Sequence, residues 1–82
     1  MQEIGKVTHY YGKVGVAIVK LSGALKVGDK VKIKSGASEF DQAVDSMEID
    51  RKQVSEAGSG DEIGLKVDQK AGDGAVVYKL EE

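Results

Sequence analysis

The 82 residues predict an all-β domain, a closed barrel of six or seven strands over residues 1–82, with no second domain. Three observations carry this. Apolar residues recur at period two in short runs and never sustain the three-and-four spacing of an amphipathic helix. Eleven glycines and no proline leave glycine-rich connections to do the punctuation. The dipeptide Gly-Asp stands before an extended segment at 28–29, 60–61 and 72–73. Short strands left open expose unpaired edges, and closure removes them. The expected strand content is above about 40% and the helix content below about 15%, well away from a typical mixed domain.

In chain order, Ile4 to Tyr11 opens as a strand. Val14 to Leu21 is β-branched and apolar on both faces, with Gly15 and Ala17 as small members, as a central strand over a tight interior requires. Lys30 to Lys34 alternates cleanly, Val31 and Ile33 inward and Lys30, Lys32 and Lys34 outward. Phe40 to Asp50 reads as one longer strand in which a bulge near Asp45 and Ser46 brings Val44, Met47 and Ile49 back into phase. Val54 to Ala57 is the one stretch with room for a helical turn. Glu62 to Val67 turns Ile63, Leu65 and Val67 inward, and Ala75 to Leu80 sets Val76, Tyr78 and Leu80 on one face.

Two of the Gly-Asp turns lead into similar strands, Lys30-Val31-Lys32-Ile33-Lys34 and Glu62-Ile63-Gly64-Leu65-Lys66, offset by 32 residues. Glycine permits positive φ and aspartate bonds nearby backbone, so the pair suits a turn into a strand. The repeat suggests a barrel with a pseudo-twofold axis.

Composition excludes several classes. No run approaches the roughly 20 apolar residues of a membrane-spanning helix, and residues 1–5 lack the basic start and apolar core of a signal peptide. A cytoplasmic location with no membrane partner is expected. The absence of cysteine rules out disulfides, a thiol nucleophile and thiolate metal sites. The single histidine, His9, has no second imidazole to share a metal with. No Gly-x-x-x-x-Gly-Lys-Ser/Thr loop is present, and Gly58 to Gly64 precedes a strand where a dinucleotide loop needs a helix. No catalytic residue, metal, cofactor or nucleotide is therefore expected.

Charge is uneven behind a net of −2. Residues 1–34 carry seven lysines against two acids, and residues 35–82 carry twelve acids against five basic groups. Lysines on an outward strand face serve solvation and edge protection, and they can also meet phosphate. His9, Tyr10 and Tyr11 form an aromatic cluster that could stack bases, although alternation lets at most two share a face.

Three blocks appear in series: Leu25-Lys26-Val27-Gly28-Asp29-Lys30-Val31-Lys32-Ile33, then Met47-Glu48-Ile49-Asp50-Arg51-Lys52, then Ala57-Gly58-Ser59-Gly60-Asp61-Glu62-Ile63-Gly64-Leu65. In order and spacing they resemble the second, β-barrel domain of translation elongation factor Tu and its relatives, a likeness running from Ile4 to Leu80. Gly5 to Tyr10 is similar to the opening of small free-standing translation-factor-like proteins and of the barrel appended to collagenase-like peptidases. The resemblance implies a binding module without its own GTPase. It places Glu48 and Arg51 where that family holds the terminal adenosine of tRNA. Asp50 stands where the family has phenylalanine and Glu62 where it has asparagine, setting two carboxylates against RNA phosphate.

The expected function is that of a non-catalytic, translation-factor-like binding domain whose partner is RNA, tRNA or a translation-related protein. Its RNA-binding candidates are Lys30, Lys32, Lys34, Glu48, Arg51 and Tyr10. The alternatives are a docking or accessory domain for a larger enzyme such as a peptidase, and an engineered barrel with no natural ligand, which the missing proline suggests.

Overall fold

The computed structural model describes residues 2–80, and of these residues 61% are in strands and none in a helix. Ten strands follow in order: β1 (Gln2–Tyr11), β2 (Val16–Leu21), β3 (Leu25–Lys26), β4 (Lys30–Ser35), β5 (Ser38–Ala43), β6 (Met47–Ile49), β7 (Lys52–Val54), β8 (Glu56–Ala57), β9 (Glu62–Lys66) and β10 (Val76–Leu80). Eight form one antiparallel sheet in the order β5-β4-β10-β1-β2-β9-β6-β7, and β3 pairs with β8 in a separate ribbon.

Strand β1 is long enough to pair with β10 at its start and β2 along the rest. Two register irregularities, between Glu3 and Gly5 and between Val7 and His9, keep Ile4 and Val7 both inside. The sheet wraps one core: Ile4, Val7, Ala17, Val19, Leu21, Val31, Ile33, Met47, Ile63, Leu65 and Val77 are buried from eight-stranded sheet positions, and Leu25 and Ala57 from the ribbon. The inward facing expected for Val31, Ile33, Ile63 and Leu65 holds.

Several expectations change. The segment Phe40 to Asp50 is two strands, because residues 44–46 leave β5 at one end of the sheet and cross to β6 near the other; no bulge is involved. Val44 stays buried by bonding across to the turn before β4, with Gly28 N donating to its carbonyl (2.9 Å) and its own N to the Asp29 carbonyl (2.8 Å). Val54 to Ala57 is extended in β7 and β8, where pairing with β6 and β3 outweighs any local helical preference. Strand β2 starts at Val16; Gly12 to Gly15 make a turn with Gly15 at φ 67°, which leaves Val14 exposed. On β10, Val76, Tyr78 and Leu80 do share a face, but it is the half-buried outer one, and Ala75 and Val77 take the core.

The hydrogen-bonded order is open, ending on β5 and β7, so the backbone ladder does not close into the barrel that six or seven strands would make. At the seam where β5 meets the end of β9, the buried side chain of Gln42 stands in for a ladder. Its amide donates to the Lys66 carbonyl (2.8 Å) and its oxygen accepts from Asp68 N (2.8 Å).

Candidate functional site

The six residues expected to meet RNA fall in three places. Lys30, Lys32 and Lys34 line the outer face of β4, where Lys32 is partly covered and lies 3.8 Å from both Glu39 and Asp41 of β5. That basic stripe is therefore partly neutralised by its own neighbour. Tyr10 packs half-buried against the core, while His9 and Tyr11 share the other face with ring centroids 5.1 Å apart. Of the tyrosine pair, Tyr11, half exposed, is the one free to stack. Glu48 lies on β6 and Arg51 in the β6–β7 turn, separated from β4 in the sheet by β9, β2, β1 and β10.

Glu48 and Arg51 do come together, in a groove of about 210 Å³ on the outer face of β2, β9 and β6. Its floor is Val16, Ile18 and Gly64, and its rim adds Asp50 and Glu62. The rim is fixed by a two-residue hairpin in which Asp50 (φ 52°) and Arg51 (φ 67°) both adopt the left-handed region. That is the geometry of a type I′ turn, which the strand twist favours and which asparagine and glycine usually supply. Among the described residues Glu48, Asp50, Arg51 and Glu62 have no ion pair or side-chain hydrogen bond.

The floor was missed from sequence because Val16 and Ile18 look like ordinary members of a strand apolar on both faces. The available signal was their alternation with Ala17 and Val19: once the latter fill the core, the former must face out. Among the described residues no three of His, Asp and Glu gather to hold a metal ion, and no helix is long and apolar enough to cross a membrane.

The turns are as regular as the repeat suggests. In Lys26–Asp29, Gly28 has φ 98°, Asp29 N donates to the Lys26 carbonyl (3.1 Å), and the Asp29 carboxylate accepts from Lys26 N (3.1 Å). Gly58–Asp61 repeats this with Gly60 at φ 94° and bonds of 3.0 and 2.9 Å. The Gly72-Asp73 pair is out of frame: there the turn runs Gly72–Ala75, and Gly74 takes the positive φ of 83°.

The chain is 37% identical over 81 residues to an uncharacterized protease of Methanocaldococcus jannaschii, covering 98% of this chain and 20% of that protein. It thus spans about a fifth of the length of that curated relative. Among solved structures it superposes on the C-terminal domain of a putative U32 peptidase from Geobacillus thermoleovorans with a TM-score of 0.91 at 18% identity, over 98% of this chain and 93% of that one. A selenomethionine variant of the same domain gives 0.91, over 96% and 100%. This chain has that domain's fold. No family model matches it. Of the resemblances drawn from sequence, these findings support the barrel appended to peptidases and leave the translation-factor identity unsupported.

Proposed function

We propose that this chain is a non-catalytic docking domain that works beside the catalytic part of a peptidase. The alignment of nearly the whole chain with one fifth of a protein named as a protease carries this reading, and the fold it shares with a peptidase's C-terminal domain supports it. A small module recurring next to a larger remainder is suited to holding a substrate or positioning a partner. Covalent or acid-base hydrolysis needs an activated nucleophile or paired acid and base in a cleft. This chain offers one histidine, within β1, and no cysteine.

The test mixes the isolated chain with fluorescein-labelled, reduced and carboxymethylated casein as an unfolded polypeptide, and separately with tRNA. Saturable binding of the casein without fragmentation is expected. Fragments released by the pure chain would overturn the non-catalytic assignment. Binding of tRNA with an affinity that falls with salt, at a log-log slope of about −0.7 per phosphate contact, would replace docking by an RNA role for Lys30, Lys32, Lys34, Glu48, Arg51 and Tyr10.

A further inference from the structure

We infer that the outer groove of β2, β9 and β6 binds an extended polypeptide segment through a lysine or arginine side chain laid over Val16 and Ile18 with its charge at the acidic rim. The inference rests on the docking role proposed above and names the surface and the chemistry it selects.

The first observation is a mismatch between equivalent positions. Strands β4 and β9 sit at an offset of 32 residues, and β4 meets β5 as β9 meets β2, both antiparallel: Val31 with Gln42, Lys32 with Asp41 and Lys34 with Glu39 in one half; Ile63 with Val19, Gly64 with Ile18 and Lys66 with Val16 in the other. On the outer face of the first pair, Lys32 closes onto Asp41 and Glu39. On the outer face of the second, the same place holds glycine between isoleucine and valine. An ion-paired surface in one half is a half-buried apolar floor in the other.

The second observation is that the fold does not require Gly64. It lies mid-strand and outside the left-handed region, and a Cβ there would meet Val16 Cγ1 at 3.4 Å, Ile18 Cδ1 at 3.9 Å and Glu48 Cβ at 4.0 Å, which are ordinary contacts. Glycine inside a strand weakens it and marks places where another backbone or ligand comes close. Here its missing side chain is what opens the groove.

Charge then selects the occupant. Glu48, Asp50 and Glu62 outnumber Arg51 around the floor. Lys20, opposite Glu62 in the register, is turned to the Gly60 carbonyl at 3.1 Å, and Lys66, opposite Val16, is exposed at the far end of β9. A phosphate chain would meet three carboxylates. A lysine or arginine fits both parts, because its aliphatic stem covers apolar surface while its head stays at a polar edge.

Fluorescence anisotropy tests this with a short labelled peptide alternating lysine and valine, and with its glutamate-for-lysine counterpart. The lysine peptide should bind and the glutamate peptide should not. Gly64→Val, which fills the groove, should abolish binding. Glu48→Gln with Glu62→Gln should weaken it about two- to five-fold per carboxylate, the range of partly exposed ion pairs. Should Gly64→Val fail to fold by circular dichroism, the double glutamine variant decides. Glu56→Gln with Asp73→Asn, which removes equal charge elsewhere, should leave affinity unchanged. An equal loss in that control, full binding by Gly64→Val or the double glutamine variant, or no binding by the unmodified chain would overturn the inference. Casein binding separates the two levels: retained by the groove variants, it leaves docking standing on another surface; absent from the unmodified chain, it removes the docking role itself.

Discussion

The two Gly-Asp turns and the strands after them are near copies in their frame and opposites on their outer surface. Gly28 N reaches the Val44 carbonyl as Gly60 N reaches that of Leu21, at 2.9 Å each; Val44 N and Leu21 N return bonds to Asp29 and Asp61 at 2.8 Å each. The ribbon joins the halves at equivalent residues, Leu25 opposite Ala57. Yet Gln42 occupies the place of Val19, and Lys32 that of Gly64. Asp29 also lies 3.4 Å from Lys79, a partner Asp61 lacks among the described ion pairs. Both turns and the inward positions other than Gln42 are held alike by packing and backbone bonding, while the outer faces diverge, and the apolar groove lies where they do.

The comparison breaks most easily in the core. Ile33→Ala and Leu65→Ala remove equivalent, fully buried side chains, and each should cost about 2–5 kcal/mol in urea unfolding. A loss below about 0.5 kcal/mol at either, the scale of a surface change, would end the equivalence of the two halves.

Next comes the seam. Gln42→Val copies the residue of the other half and leaves the Asp68 N–H and Lys66 carbonyl unpaired. It should destabilise by about 1–3 kcal/mol, the cost of orphaned buried polar groups, and speed hydrogen exchange at Asp68. An unchanged exchange rate would mean that backbone geometry alone holds the seam.

The turn aspartates sharpen the comparison further. Asp29→Ala and Asp61→Ala each lose a bond to backbone N–H, worth about 1 kcal/mol, and Asp29 should cost the more because its carboxylate is mostly buried beside Lys79. Asp73→Ala, in the turn that is out of frame, should stay within about 0.5 kcal/mol. Thermal denaturation giving the three equal effects would show that the shared geometry contributes no stability.

The smallest effects belong to the outer face. Lys32→Ala should cost under about 1 kcal/mol, and less in high salt, since exposed ion pairs are weak and screened. Gly64→Ala should stabilise by about 0.5–1 kcal/mol, because glycine is the poorer strand residue. A clear destabilisation there would mean that the backbone needs glycine and that the groove is incidental.

What the sequence determined is what depends on neighbours in the chain. Period-two alternation placed Val31, Ile33, Ile63 and Leu65 inside, and Gly-Asp chemistry marked the two equivalent turns, because side-chain direction and turn conformation follow from a few consecutive residues. The likeness to a barrel appended to peptidases was legible in the opening Gly5 to Tyr10 as well. Tertiary structure decided whatever depends on a distant partner. The run Ala75 to Leu80 is apolar on both faces, so only pairing with β1 and β4 could assign Val77 to the core. Phe40 to Asp50 divides because its two parts bond to opposite ends of the sheet. Lys30, Lys32 and Lys34 stand apart from Glu48 and Arg51 because four strands intervene. Val16, Ile18 and Gly64 meet Glu48, Arg51 and Glu62 because β9 lies between β2 and β6, an adjacency set by hydrogen bonds between residues far apart in the chain.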